Sequence, residues 1–171
     1  RVLFRSGSSG VASDFASGVG GARGVLFDDN GNMFVANFSG GTVLKLPAGG
    51  GAPVTMASGL NNPTGLALSD TGVLYAAASG TATVIKITAP GAFTTFATLA
   101  AGANPQGMAF SPDGELYVAN KGTDTISKIT SGGAVSTFSN DVSAPTGVAF
   151  DSTGKIFATH GGANGVIARF N

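Results

Sequence analysis

The chain has no cysteine, no tryptophan, one histidine, and only 11% charged residues over 171 positions. The missing cysteine excludes a disulfide framework and any thiolate metal site, and it leaves the redox compartment open. Nine basic side chains balance nine acidic ones, so there is no electrostatic footprint for nucleic acid or an anionic membrane surface. No apolar run approaches the roughly 18 residues that a membrane-spanning helix needs. No G-x-S-x-G elbow is present to carry a serine nucleophile. The glycine run Gly49-Gly50-Gly51 lacks the lysine and the following helix of a phosphate loop. The chain starts at Arg1 with neither methionine nor a signal-peptide pattern, so a mature form or a fragment is expected.

What is abundant is glycine, 28 residues, beside a 43% hydrophobic content that argues for a packed core. Much of the glycine is periodic. Four segments superimpose: GARGVLFDDNGNMFVAN from Gly21, NPTGLALSDTGVLYAAA from Asn62, NPQGMAFSPDGELYVAN from Asn104 and APTGVAFDSTGKIFATH from Ala144. A first shared glycine falls at Gly24, Gly65, Gly107 and Gly147, and a second at Gly31, Gly72, Gly114 and Gly154. An aromatic residue follows the second glycine each time, at Phe34, Tyr75, Tyr117 and Phe157.

Each unit of about 41 residues reads as four short strands, here called a to d. Strand a is GVLF, GLAL, GMAF or GVAF, with Phe27, Leu68, Phe110 and Phe150 on one face and mostly small residues on the other. The a–b connection is a tight turn whose glycine supplies the positive φ that the turn demands. Strand b is nearly continuously apolar (MFVA, LYAA, LYVA, IFAT), as suits a strand covered on both sides. Strand c is TVLKL, TVIKI, TISKI or GVIARF, and strand d is APVTMA, AFTTFA or AVSTFS. No 3.6-residue period appears, so the expected fold is all-β, a β-propeller of four-stranded antiparallel blades, about four of them in this chain.

The phrases SPDGELYVANKGTDTISKI and NPTGLALSDTGVLY resemble the NHL / YVTN-type repeat family, whose members form β-propellers, and the likeness runs along essentially the whole chain. The expected organisation is one propeller domain over 1–171. It comprises a half-blade at 1–19 (strands c and d), blades at 20–60, 61–102 and 103–142, and an incomplete blade at 143–171. Seventeen strands make four blades with one left over, and three closures follow. Residues 11–16 supply strand d of the last blade in a four-bladed ring; or the blades belong to a larger ring; or terminal half-blades pair between copies, head to tail.

The resemblance implies that ligands bind at one mouth of the central channel. It places there the residue before each first glycine, Arg23, Thr64, Gln106 and Thr146, and the residue ending strand b, Asn37, Ala78, Asn120 and His160. The polar members form a candidate ligand-binding ring. The alternative is that they cap strand ends and hydrogen-bond neighbouring loops. No catalytic residue, metal site or cofactor is assigned. Some propellers resembling this one are lactonases or lyases with a divalent metal held by carboxylates plus asparagine, and the matching ring here carries no carboxylate. A calcium site on Asp28, Asp29 and Asn30 would fall short of six oxygen ligands. Lys45, Lys86 and Lys128, with Arg169 near the equivalent place, put one cation per unit on strand c. Glu115 is expected to be solvated.

The expected function is a non-enzymatic propeller scaffold, a protein-interaction or self-assembling surface module. Its partner would be a protein or a second copy joined through the terminal half-blades, with no nucleic acid and no membrane span. Low lysine content and absent cysteine accord with an extracellular or cell-surface location. The alternatives are a channel-mouth enzyme of the lactonase or lyase type, or a binder of a small polar ligand or peptide.

Overall fold

A computed structural model describes residues 19–161 and 165–170 of the chain. The half-blade expected at 1–19 falls, apart from its last residue, outside the described residues, and so does any strand d from residues 11–16. The described chain is all-β. Four antiparallel sheets follow one another, each with its strands in chain order. Blade 1 holds β1 (Ala22–Phe27), β2 (Met33–Asn37), β3 (Thr42–Leu46) and β4 (Val54–Ala57). Blade 2 holds β5 (Pro63–Leu68), β6 (Leu74–Ala78), β7 (Thr83–Ala89) and β8 (Ala92–Thr98). Blade 3 holds β9 (Pro105–Phe110), β10 (Leu116–Asn120), β11 (Thr125–Ile129) and β12 (Val135–Ser139). Blade 4 holds β13 (Pro145–Phe150), β14 (Ile156–His160) and β15 (Val166–Arg169), three strands. Together they are four blades of a β-propeller.

The hairpin turn between strands a and b is the same in all four units. In blade 1 the Asp28 N–H donates to the Asn32 carbonyl at 3.0 Å, and Gly31 N–H returns to the Asp28 carbonyl at 2.9 Å. Gly31, Gly72, Gly114 and Gly154 all have φ between +76° and +82°, as the sequence predicts. An oxygen side chain at the first turn position fixes the loop: Asp28 accepts from the N–H groups of Asn30 (3.0 Å) and Asn32 (2.8 Å) and from the Asn32 amide (2.7 Å). Burial works to raise the Asp28 pKa. The bonds from Asn32 and Asn30, helped by the charge of Lys45, outweigh it and hold the carboxyl below its ordinary value.

Strand b is the spine of each blade. β6 and β10 are buried along their whole length, and β2 along all but its first residue. Between blades lie three apolar layers. Blade 1 sets Phe34, Ala36 and Val43 against Leu66, Leu74 and Ile87 of blade 2. Tyr75, Ala77 and Val84 of blade 2 meet Met108, Leu116 and Val118 of blade 3. Tyr117 and Ile126 of blade 3 meet Val148, Phe150 and Ile156 of blade 4. Three aromatic bridges cross these layers edge to face: Tyr75 to Phe110 with centroids 5.2 Å apart, Tyr117 to Phe150 at 5.1 Å, and Phe138 to Phe170 at 5.5 Å.

The first shared glycine has a different cause from the second. A Cβ built on Gly24 would strike the Thr64 carbonyl oxygen, one on Gly65 the Gln106 oxygen, and one on Gly107 the Thr146 oxygen. Strand a of each blade thus lies backbone against backbone on strand a of the next. Gly147, in the last blade, would meet only Thr159 of its own sheet.

Two further positions per unit adopt positive φ without being uniformly glycine. Just before strand a stand Gly21, Asn62, Asn104 and Ala144, with φ of +71°, +54°, +47° and +41°. Before strand c stand Gly41, Ala82, Asp124 and Gly165, between +44° and +61°. Alanine pays a steric penalty in this region. Ala144→Gly is therefore expected to stabilise the fold by about 1 kcal/mol, read as a higher urea midpoint. Gly65→Ala should lower stability by about 3 kcal/mol through overpacking.

The depressed Asp28 pKa gives a pH signature. Because the folded state favours the carboxylate, its contribution is complete above the ordinary value of 3.8 and is lost as pH falls through the folded-state pKa. Asp28→Ala is expected to cost about 1 kcal/mol at neutral pH. Paired urea titrations should show that difference narrowing below pH 3.8.

Candidate functional site at the channel mouth

Arg23, Thr64, Gln106 and Thr146 each occupy the second position of their strand a, one step before the glycine that touches the next blade. That register points four equivalent positions at a shared space. All four line one cavity of about 320 Å³, with Val25, Leu66, Met108 and Val148 among its other lining residues. Asn37, Asn120 and His160 end β2, β10 and β14 at the same rim, and the cavity lining does not include them.

Most of these polar groups already have partners in the scaffold. The Thr64 hydroxyl, 3% exposed, lies 2.8 Å from the Pro105 carbonyl and 3.4 Å from that of Ala77. The shorter bond ties blade 2 to blade 3. The Gln106 amide donates to the Asn104 side-chain oxygen (2.8 Å) and to the Asn104 carbonyl (3.3 Å). The Thr146 and Thr159 hydroxyls pair at 3.1 Å. The Arg23 guanidinium rests 4.3 Å from the centroid of the Phe38 ring, held by cation–π attraction.

The strand-b residues are caps. Asn37 is buried; its amide donates to the Thr42 hydroxyl, and its oxygen accepts the Gly40 N–H, both at 3.2 Å. Asn120 is deeper still and donates to Ser127 (2.8 Å) and Thr125 (3.1 Å). Its Oδ1 has no protein partner, because the amide equivalent to Gly40, that of Thr123, makes no matching bond. His160 Nδ1 faces the Ser143 N–H at 3.5 Å, the outer limit of a hydrogen bond.

The cavity lining therefore contains one charged group, Arg23, and no carboxylate. Among the described residues no cluster of three or more His, Cys, Asp or Glu exists to hold a metal ion. A divalent cation of the kind the lactonase resemblance implies wants several anionic oxygens, and the side chains at this mouth do not fit it.

Strand-c cations sit in strict register, with Lys45, Lys86, Lys128 and Arg169 opposite Phe34, Tyr75, Tyr117 and Phe157. Lys45 lies 5.7 Å from the centroid of the Phe34 ring. Glu115 is not simply solvated. It forms an ion pair with Lys128 at 2.5 Å, and the two groups are about 30% exposed. That bond raises the Lys128 pKa, while burial is the main cause raising that of Tyr117 beneath the pair. Sequence reasoning missed the pairing because a turn position says nothing about which strand-c residue it faces.

No protein-family model and no curated protein sequence matches the chain. Its likeness is to solved structures. A gluconolactonase from Xanthomonas campestris superposes with a TM-score of 0.71 at 20% identity, over 82% of this chain and 54% of that one. A virginiamycin B lyase from Staphylococcus aureus gives 0.69 at 16%, over 87% and 55%. A chain of the nidogen/laminin complex gives 0.76 at 20%, over 90% and 61%. The likeness is one of fold. These neighbours are propeller proteins with different activities, and this chain spans little more than half the length of each.

If Thr64 serves as a joint between blades, Thr64→Val should cost about 1 kcal/mol by removing its hydroxyl bonds. Arg23→Ala, which loses only an exposed cation–π contact, should change stability by less than half of that. Paired thermal or urea melts give both values.

Proposed function

We propose that the chain is a non-enzymatic propeller module for protein interaction and assembly, working at the cell surface or outside the cell. The observation that carries this reading is the engagement of the mouth residues. Thr64, Gln106, Asn37 and Asn120 hydrogen-bond the scaffold itself, and no carboxylate lines the cavity to act as base, acid or metal ligand. A chain with few reactive groups and large apolar blade faces has more to offer as a surface than as a catalyst. The resemblance to NHL-type repeats and the protein-complex neighbour support the same reading.

A second reading is favoured by one feature. Arg23 is the sole charge lining a cavity of about 320 Å³, which suits a small anionic or strongly polar ligand. Gln106 and Thr146 would provide the additional hydrogen-bonding groups. The lactonase or lyase alternative draws on the resemblance of the repeats and on the names of the structural neighbours.

Hydrolysis and elimination assays on simple lactones and cyclic esters, with and without added divalent ions, separate module from enzyme. Turnover should not exceed the buffer rate. A rate that rises with metal and falls on Arg23→Ala or His160→Ala would overturn the non-enzymatic reading.

A further inference from the structure

We propose that the crevice between blades 2 and 3, at the end of the blades away from the channel mouth, binds a small aromatic carboxylate, with Lys86 as counter-ion and the Tyr75 hydroxyl as a second donor. The site lies wholly within two consecutive blades and uses none of the mouth residues.

The crevice is a cavity of about 230 Å³. Blade 2 supplies its a–b turn together with Tyr75, Lys86 and Phe96, and blade 3 supplies Phe110, Ile129 and the start of its c–d turn. Phe110 ends β9, whose second residue, Gln106, lines the mouth, so the two cavities sit at opposite ends of the same strand.

The strand-c cations share one register but not one environment. Lys45 lies over the Phe34 ring, and Lys128 is paired with Glu115. Glu115 stands just before strand b, where the other blades carry Asn32, Val73 and Lys155. In blade 2 that position is a valine, which offers no counter-charge. Among the described residues Lys86 therefore has neither a carboxylate within ion-pair distance nor a ring beneath it. It is half-buried, opposite Tyr75, and on the cavity wall.

Tyr75 supplies the second polar group. Its ring is fixed edge to face between Phe96 (5.0 Å) and Phe110 (5.2 Å). Its hydroxyl finds no hydrogen-bond partner among the described residues and is not sealed from solvent, so it opens into the cavity it lines. The other hydroxyls of the wall are engaged locally: Ser69 and Thr71 pair at 3.0 Å, and Thr130 accepts the Ala134 N–H at 3.2 Å.

These groups define the ligand. Phe96, Phe110, Val73 and Ile129 form an apolar wall that suits a flat aromatic body. A half-buried ammonium and a free hydroxyl side by side donate charge-assisted hydrogen bonds to an anion. The volume falls below the roughly 300 Å³ at which sites for drug-sized ligands begin, which limits the ligand to about one ring and one acidic group. Asp70, exposed on the turn at the rim, places a negative charge beside the opening. It penalises a doubly charged phosphate more than a single carboxylate.

The test is calorimetric titration of the full chain with benzoate, phenyl phosphate, benzyl alcohol and benzylamine, with amide NMR shifts to locate the probe. Benzoate should bind one to one with a Kd below about 1 mM. Phenyl phosphate and benzyl alcohol should bind at least about tenfold more weakly. Shifts should gather on residues 69–73 and 129–131. Lys86→Met, which keeps an apolar stem, should weaken benzoate binding by about tenfold, and Tyr75→Phe by about threefold. Val73→Glu, which gives Lys86 the partner that Lys128 has, should match Lys86→Met while the circular dichroism spectrum stays that of the parent. Asp70→Asn should tighten binding by about twofold, and Arg23→Ala should leave it unchanged. If Lys86→Met fails to fold, Val73→Glu and Tyr75→Phe decide. No saturable benzoate binding up to about 10 mM, a preference for benzylamine or phenyl phosphate, or binding that Val73→Glu does not weaken would each overturn the proposal. Shifts centred on Arg23 and Gln106, with binding lost on Arg23→Ala, would overturn it too and make the mouth the anion site.

Discussion

Around the axis, consecutive blades approach so closely at strand a that backbone lies on backbone. Three glycines, Gly24, Gly65 and Gly107, make that approach sterically possible, and the rest of the architecture follows from it. Once the inner strands converge, the outer ones diverge, and the wedge between them must be filled by side chains. Ala77 and Ala119 of strand b stay small, Val84 and Ile126 fill the layers from strand c, and the tyrosine–phenylalanine pairs join strand b of one blade to strand a of the next. Each blade is too thin to bury its own faces, so its stability is borrowed from its neighbours.

The same convergence determines what the mouth can do. A side chain one residue before the contact glycine is carried to the rim, close to the backbone of the next blade. Thr64 illustrates the result: its hydroxyl reaches the Pro105 carbonyl and becomes a tie between blades. Gln106 and Thr146 are held within their own blades. A rim that could have been a binding ring is largely a set of fastenings. Arg23 stands apart: among the described residues its guanidinium has no hydrogen-bond partner, and the Phe38 ring steadies it.

Much of the fold was legible in the sequence because its determinants are local. The second glycine of each unit announces a positive φ, and four apolar residues in a row announce a strand covered on both sides. The positions before strands a and c were not legible in that way. Asn62, Asn104, Ala144, Ala82 and Asp124 adopt left-handed backbone without being glycine. Their conformation is imposed by the packing of successive blades, as when Asp124 accepts the Ala144 N–H twenty residues away. The site was legible only in outline. The resemblance to propeller repeats indicated which residues reach the rim, but whether a hydroxyl faces solvent or a neighbour's carbonyl is set by the packing of successive blades, as with Thr64 and the Pro105 carbonyl. The Glu115–Lys128 pair escaped for the same reason.

The repetition of the left-handed positions has an evolutionary side. Because every joint uses the same hinge geometry and the same axial contact, duplicating one unit of about 41 residues would lengthen the arc without inventing a new interface. Inserting a single residue into strand a would instead turn its pleat over and carry the contact glycine away from the axis. Such a molecule would gain or lose whole modules far more readily than it would tolerate a slip within one, and the near-constant distance between its glycines fits that constraint.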